Sequence, residues 1–372
     1  MRIRKLDPQN KRDVREFIQF PFHLYRECPQ WVPPLVSSAM NALNPKKHPF
    51  YMHSTADFFL AERAGRAIGR IGVMNNRLYN QHTGSNTVFF GFYEVIEEEV
   101  VSNALFDAAF AWASERSFNR IVGPRTLMGA DAGGILVEGH EHRPALNIPY
   151  NFAYYNDFIL SAGFEKDTDH LSGYLPADYD LPKRLHQIAE KVKARRGYRI
   201  KSFKTKDEMR SWIPKVQEVH AQAFGHSHTF YPPTDEEIRI TADTIISIAD
   251  PSLIKLVMKG DDVIGFIFSY PDISAGLQKS RGRLWPFGWY HILRDRKRTE
   301  WVNVNGVGLL PEYQGLGANT ILYTEVAKSI HSFNFKHADI VQVDEKNFAS
   351  RSDMENLGVR WYRRHRRYQR DL

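Results

Sequence analysis

Cysteine is almost absent: Cys28 is the only one in 372 residues. That excludes an internal disulfide and any multi-cysteine metal site, and makes a reducing, cytoplasmic setting the simplest expectation. Long apolar runs are missing too. No stretch approaches ~18 uncharged apolar residues, so no transmembrane helix is expected. The basic start Met1-Arg2-Ile3-Arg4-Lys5 is followed by Asp7, Pro8 and Lys11, where a signal peptide needs an apolar run. Acidic residues are the scarcer charge: 43 Asp and Glu against 50 Lys and Arg leave a net +7. This balance favours acidic partners such as phosphorylated cofactors, nucleic acid or a lipid surface. Core-forming material is plentiful. Apolar residues make up 42% and aromatics 13%, which argues against disorder. At ~150 residues per domain, the length predicts two domains.

The order of elements repeats. Strands are expected over 2–6, over 58–63 and 67–73 joined by a tight Ala64-Gly65-Arg66 turn, and over the aromatic-rich 87–95. Leu105, Ala108, Ala109 and Trp112 lie at helical spacing and predict an amphipathic helix over 101–117. A helix over 11–26 precedes this set; a strand at 121–123, a helix over 154–162 and a strand over 169–175 follow it. The segment 177–196 then reads as a basic linker, helical over 181–196, with Pro182 near its first turn and Gly197 just past its end. Beyond it come a strand at 199–203, helices within 212–223 and 235–249, and strands at 253–258, 263–270 and 301–309. A helix over 315–332, a strand at 338–343, a helix at 350–357 and a strand at 360–367 complete the chain. The flanks 1–176 and 197–372 are equal in length, and matched order with matched length predicts a structural duplication.

The sharpest local signal is Gly306-Val307-Gly308-Leu309-Leu310-Pro311-Glu312-Tyr313-Gln314-Gly315-Leu316-Gly317-Ala318-Asn319. A strand runs out, turns at Pro311 and opens a long helix through two glycines. Amides at such a helix start lack intrahelical partners and, with the positive end of the helix dipole, form an anion cradle. Glycine there lets a pyrophosphate approach the backbone.

This segment resembles the acyl-CoA pyrophosphate loop of the GCN5-related N-acetyltransferase (GNAT) superfamily, Gln/Arg-x-x-Gly-x-Gly/Ala, with Glu312 in its first slot. Ile340-Val341-Gln342-Val343, then Asn347 and the exit Asn356-Leu357-Gly358-Val359, resemble the superfamily's next strand, its CoA-facing Asn and its Leu-Gly-Phe exit. The first half resembles the same fold more faintly, through Phe89 to Glu94 and Leu160-Ser161-Ala162-Gly163-Phe164. Its loop position reads Ile96-Glu97-Glu98-Glu99-Val100, and three carboxylates would repel a pyrophosphate. The resemblance therefore implies an α/β protein of two tandem GNAT-like domains, each a mixed, mostly antiparallel sheet flanked by helices, as in a group of bacterial tandem acetyltransferase-like proteins. The first, 1–176, would shape the acceptor site or serve structurally. The second, 197–372, would bind acetyl-CoA or another acyl-CoA through Leu309, Gln314, Gly315, Leu316, Gly317, Ala318, Asn319 and Asn347. The expected reaction is direct acyl transfer from the CoA thioester to an amine in a ternary complex.

The superfamily's tyrosine acid usually stands seven residues after the CoA-facing Asn. Here that position is Met354, so Tyr362 is the next candidate, and Glu300 is the candidate base on the strand before the loop. Asn303 and Asn305 on that strand, with Asp131, His140, Tyr150 and Tyr154 in or near the long loop 124–149, are candidate acceptor-site residues. That loop either walls the acceptor site or caps the first domain's sheet. His220, His226 and His228 are badly spaced for a metal, and none is expected. The insertion 271–300 mixes Leu277, Leu284, Trp285, Phe287, Trp289, Tyr290, Ile292 and Leu293 with Lys279, Arg281, Arg283, Arg294, Arg296, Lys297 and Arg298. It suits a membrane surface, an acyl chain or an RNA backbone. A packed excursion burying its aromatics against the neighbouring domain is preferred. The arginines at 360, 363, 364, 366, 367 and 370 are expected on a largely solvated strand face. A catalyst is favoured, because an intact phosphate cradle has little other use in this fold. The alternatives are an acyl-CoA-binding or scaffolding protein without turnover and an aminoacyl-tRNA-dependent transferase of similar tandem architecture. The intact cradle argues against the last of these and against a nucleic-acid partner.

Overall fold

The computed structural model describes residues 1–128, 133–225, 227 and 230–372; Asp131, His226 and His228 lie outside them. Among the described residues thirteen strands form one sheet: β1 Arg2–Lys5, β2 Thr55–Arg63, β3 Arg66–Asn75, β4 Thr87–Val95, β5 Arg120–Gly123, β6 Ile135–Glu138, β7 Glu165–Pro176, β8 Tyr198–Ser202, β9 Lys255–Lys259, β10 Asp262–Pro271, β11 Trp301–Leu309, β12 His337–Asp344 and β13 Arg360–Asp371. Their spatial order is β1-β2-β3-β4-β5-β13-β7-β12-β11-β10-β9-β8, with β6 added against β13.

The order has an internal symmetry centred on the β13–β7 pair. On one side β2, β3 and β4 run antiparallel and β4 pairs in parallel with β5. On the other, β9, β10 and β11 do the same and β11 pairs in parallel with β12. The closing strands are exchanged. β7, from the first half, pairs with β12, while β13, from the second, pairs with β5. Helix Glu99–Ser114 buries Leu105, Phe106, Ala109 and Trp112 on the first half of the sheet. Helix Ala318–His331 buries Ala318, Ile321, Leu322, Val326 and Ile330 on the second. The linker forms helix Lys183–Arg196, ended by Gly197 at φ +66°, and packs on helix Ala318–His331 through Lys193–Glu325 at 2.8 Å.

The arginines of β13 depart from the expectation of a solvated face. Arg363 and Arg367 are buried, and Arg366 reaches both oxygens of Asp169 on β7 at 2.8 and 3.0 Å. Strand exchange places β13 between β5 and β7 in the middle of the sheet, and charges buried there need carboxylate partners. His365 is buried beside them and donates from Nε2 to the Pro149 carbonyl at 2.9 Å. Burial, outweighing that carbonyl, pulls its pKa from 6.5 to about 3. Such a group is neutral in the folded state and charged in the unfolded state below pH 6.5. Its contribution is therefore complete above that pH and is lost as pH falls toward 3, at about 1.4 kcal/mol per pH unit. Denaturant titrations at pH 7 and pH 5 should show His365→Gln losing less stability on acidification than the parent. Equal losses would remove His365 from the account.

Candidate active site

The site begins with a bulge. Val304 pairs with Ser269 but Val307 pairs with Ile267, so Asn305 and Gly306 together oppose one residue of β10; Gly306 sits at φ +88°. A bulge bends its strand, and β11 accordingly leaves β12: parallel pairing runs from Trp301↔His337 to Val304↔Ile340 and stops there. Past the parted ends, Pro311–Tyr313 forms a single 3-10 turn, and Gly315 and Gly317 take φ +68° and +87°. Those left-handed values, which disfavour a Cβ, delay the expected helix from 315 to Ala318. The Gln314 side chain donates to the Leu309 carbonyl at 3.2 Å and ties the loop to the strand end. Among the described residues the amides of Gly315, Leu316, Gly317 and Ala318 make no hydrogen bond. A Cβ on Gly315 would meet only open space, whereas one on Gly317 would lie 3.0 Å from Val192 of the linker helix. This open, amide-lined turn at a helix start fits a pyrophosphate. A cavity of about 200 Å³ lies just past it along the helix, bounded by Leu185, Asn319, Tyr323 and Asp353.

The first half carries the same bulge without the opening. Arg70 pairs with Glu94 and Gly72 with Gly91, and Phe92 sits at φ +51°. Here the chain returns into its own gap. Arg125 donates its amide to the Phe90 carbonyl at 2.8 Å, and a Cβ on Gly91 would lie 1.9 Å from the Arg125 carbonyl oxygen. Helix Glu99–Ser114 starts without a glycine turn, and Glu98 pairs with Arg63.

On the face of the second half opposite helix Ala318–His331, Asn303 and Asp339, which alternate with Val302, Ala338 and Ile340, are polar and buried. Asp339 accepts from Arg363 and, at 3.0 Å, from the Tyr362 hydroxyl, while its Oδ1 is buried without a partner. Burial raises the Asp339 pKa against the pull of Arg363 and Tyr362. Asn303 donates to Asp272 at 3.4 Å, and Asp272 also accepts from Ser274 and from Arg143 at 2.8 Å. Asn305 donates to the Tyr270 hydroxyl at 3.3 Å beside the bulge. The loop expected either to wall an acceptor site or to cap the first sheet crosses to this cluster. His142 lies edge-on to the Tyr362 ring at 4.9 Å, and Ala145 and Ile148 pack on Val341.

No family model matches the chain. Protein YghO of Escherichia coli is 26% identical over 373 residues, covering 98% of this chain and 94% of that protein. The bacterial ceramide synthase of Caulobacter vibrioides is 26% identical over 370 residues, covering 97% and 95%. Among solved structures, a tandem GNAT protein from the clavulanic acid biosynthesis pathway aligns over 100% of this chain and 98% of its own, at a TM-score of 0.59 and 12% identity. The chain has the tandem GNAT fold. A GNAT protein from Sphaerobacter thermophilus aligns with 99% of it, and over 95% of its own length, at a TM-score of 0.52 and 14% identity.

Within that fold the expected site residues separate into two groups. Leu309, Gln314, Gly315, Leu316, Gly317, Ala318 and Asn319 form the strand end and the turn just described, with Asn319 donating to Asp353 at 2.5 Å. Asn347 caps helix Phe348–Asn356, its side chain accepting from the Ser350 amide at 3.1 Å. Tyr362 and Asn303 reach the buried polar cluster, while Asn305 is exposed beside the bulge and bonds Tyr270. Glu300 does not reach the cluster: it is half-exposed at the strand start and paired with Lys336 at 2.5 Å, so the expected base is a surface ion pair. Tyr154 donates to the Val95 carbonyl and Tyr150 to that of His140, whose pKa burial lowers; all three lie on the first half. Asp131 lies outside the described residues. Met354 is buried in the core beneath helix Ala318–His331 and holds no position facing the cluster. Asp272, Asp339, Arg143 and Arg363 were missed. The available signal was Asp339 itself, a carboxylate between the apolar Ala338 and Ile340. Among the described residues no group of three or more His, Cys, Asp or Glu could hold a metal ion, and no helix is long and apolar enough to cross a membrane.

Proposed function

We propose that the second half transfers an acyl group from an acyl-CoA thioester to an amine. The observation that carries this reading is the contrast between two equivalent gaps: the one beside Gly315–Ala318 is open and lined with free amides, and the one beside Glu97–Glu99 is filled by Arg125. The amides of Gly315, Leu316, Gly317 and Ala318 would hold the pyrophosphate, and the parted ends of β11 and β12 would admit the pantetheine arm. The bound thioester supplies an activated carbonyl. On the opposite face, the unpartnered Oδ1 of Asp339 would accept the ammonium proton, and burial, which raises its pKa, favours that uptake. Tyr362 and Arg363 orient that carboxylate. The loop 139–148 would form the acceptor-side wall. The name of the Caulobacter relative favours an amine carried by a lipid-like molecule.

Acetyl-CoA and longer acyl-CoAs, each offered with a panel of amines, should release free thiol with at least one amine. Asp339→Asn should lower kcat by about 100-fold or more while leaving CoA affinity unchanged. Tight CoA binding with no thiol released from any amine would instead favour a binding protein without turnover, the reading to which Met354 in place of the superfamily's tyrosine lends weight.

A further inference from the structure

The insertion between β10 and β11 forms two helices, Ser274–Ser280 and Gly288–Arg298. Its base is fixed in the fold. The Gly276 amide donates to Asp295 at 2.8 Å, the Gln278 side chain to the Pro29 and Trp31 carbonyls at 2.7 and 2.9 Å, and the Val36 amide to Gly282 at 2.8 Å. Leu277 and Ile273 are buried with Leu146 and Tyr270. The outer rim departs from the expected packed excursion. Trp285 is 80% exposed and Phe287 69%, and Leu284, Trp289, Tyr290 and Leu293 are exposed with them. The apolar contacts of the insertion are made by its base, and the rim aromatics stay outside them.

On helix Gly288–Arg298 a turn of ~100° per residue puts Trp289, Tyr290, Leu293 and Lys297 on one outward face. Gly288, Ile292 and Asp295 face the protein. Arg281, Arg283, Arg294, Lys297 and Arg298 are exposed around the aromatics, and none makes an ion pair among the described residues.

We propose that this rim seats on an anionic bilayer surface. Aromatic rings favour the headgroup level, and unpaired basic side chains around them meet lipid phosphates in the same plane. Charge selects this occupant over a second copy of the chain, because a two-fold contact through the rim would set its unpaired basic residues against themselves. The rim lies on the interface and does not span it, since no helix of the described residues is long and apolar enough. Asp272 and Ser274, at the root of the insertion, belong to the buried polar cluster, so the rim would place that face of the second half beside the membrane.

Co-sedimentation of the full chain with phosphatidylcholine vesicles, with and without phosphatidylglycerol, tests it. Binding should require phosphatidylglycerol and weaken with salt. The double variants Trp285→Ser/Phe287→Ser and Arg281→Gln/Arg283→Gln should each bind about ten-fold more weakly or worse, with unchanged thermal midpoints because all four side chains are exposed. Failure of the parent to bind phosphatidylglycerol vesicles would overturn the proposal, as would equal binding by both variants. So would a change in sedimentation velocity on altering the rim without any vesicle binding, which would assign the surface to a second copy.

Discussion

Gly315→Asp should bind CoA at least about ten-fold more weakly than the parent, a loss of about 1.4 kcal/mol or more, while melting at nearly the same temperature. The turn tolerates the backbone change, since Asp and Asn accept left-handed φ better than other residues with a Cβ, and Gly315 stands at +68° with open space where the Cβ would go. What it does not tolerate is charge. A carboxylate beside a pyrophosphate costs about 1 kcal/mol per charge pair at 4 Å in water and more where solvent is displaced. Gly315→Asn, equal in shape and neutral, separates the two effects and should retain most of the affinity in a calorimetric titration. Position 317 is a poorer probe. A Cβ there also presses on Val192 at 3.0 Å, so a lost affinity at 317 would mix ligand contact with a displaced linker helix. Equal affinity in parent and Gly315→Asp would mean that the phosphates do not sit at this turn.

Arg363→Met should destabilise the protein by about 3–5 kcal/mol in denaturant titration, because it leaves the Asp339 carboxylate buried without a counter-charge. Arg363 is fully buried, donates to Asp339 and to the Arg143 carbonyl, and stacks at 4.6 Å over the Tyr362 ring. Its loss thus loosens the loop 139–148 as well as the pair. The double variant Asp339→Leu/Arg363→Met should recover much of that stability, since an apolar pair of similar volume has no charge to desolvate. Under the proposed function it should nevertheless be inactive. Recovered stability with lost turnover would mark the pair as retained for chemistry rather than for the fold. A double variant as unstable as the single one would place the cost in packing instead.

Local pattern carried much of the architecture. The aromatic-rich run at 87–95, helical spacing of Leu105, Ala109 and Trp112, and Gly197 behind a basic helix each signalled the element that forms. The glycine spacing at 315 and 317 signalled the turn, because left-handed backbone is a property of the residue itself. Strand exchange was illegible for the opposite reason. Nothing within 360–371 says that it lies between β5 and β7, so its arginines read as a solvated run when their partners, Asp169 and Asp339, are elsewhere in the chain. β6 was hidden inside the long loop for the same reason: four residues with no partner nearby in sequence do not read as a strand, yet they pair with β13. Glu300 was chosen as the only carboxylate at the head of its strand. The carboxylates that face the cluster come from β12 and from the residue just after β10, which only the folded sheet brings together. The insertion's composition fitted both a packed and an exposed segment, and the fold of its base decides between them.

Hydrogen–deuterium exchange of the full chain with and without CoA tests the central claim most directly. Exchange should slow at the amides of 315–320 and in the neighbouring helix Phe348–Asn356, and stay unchanged at 96–102. Protection at 96–102, or no protection at 315–320 under saturating CoA, would contradict it.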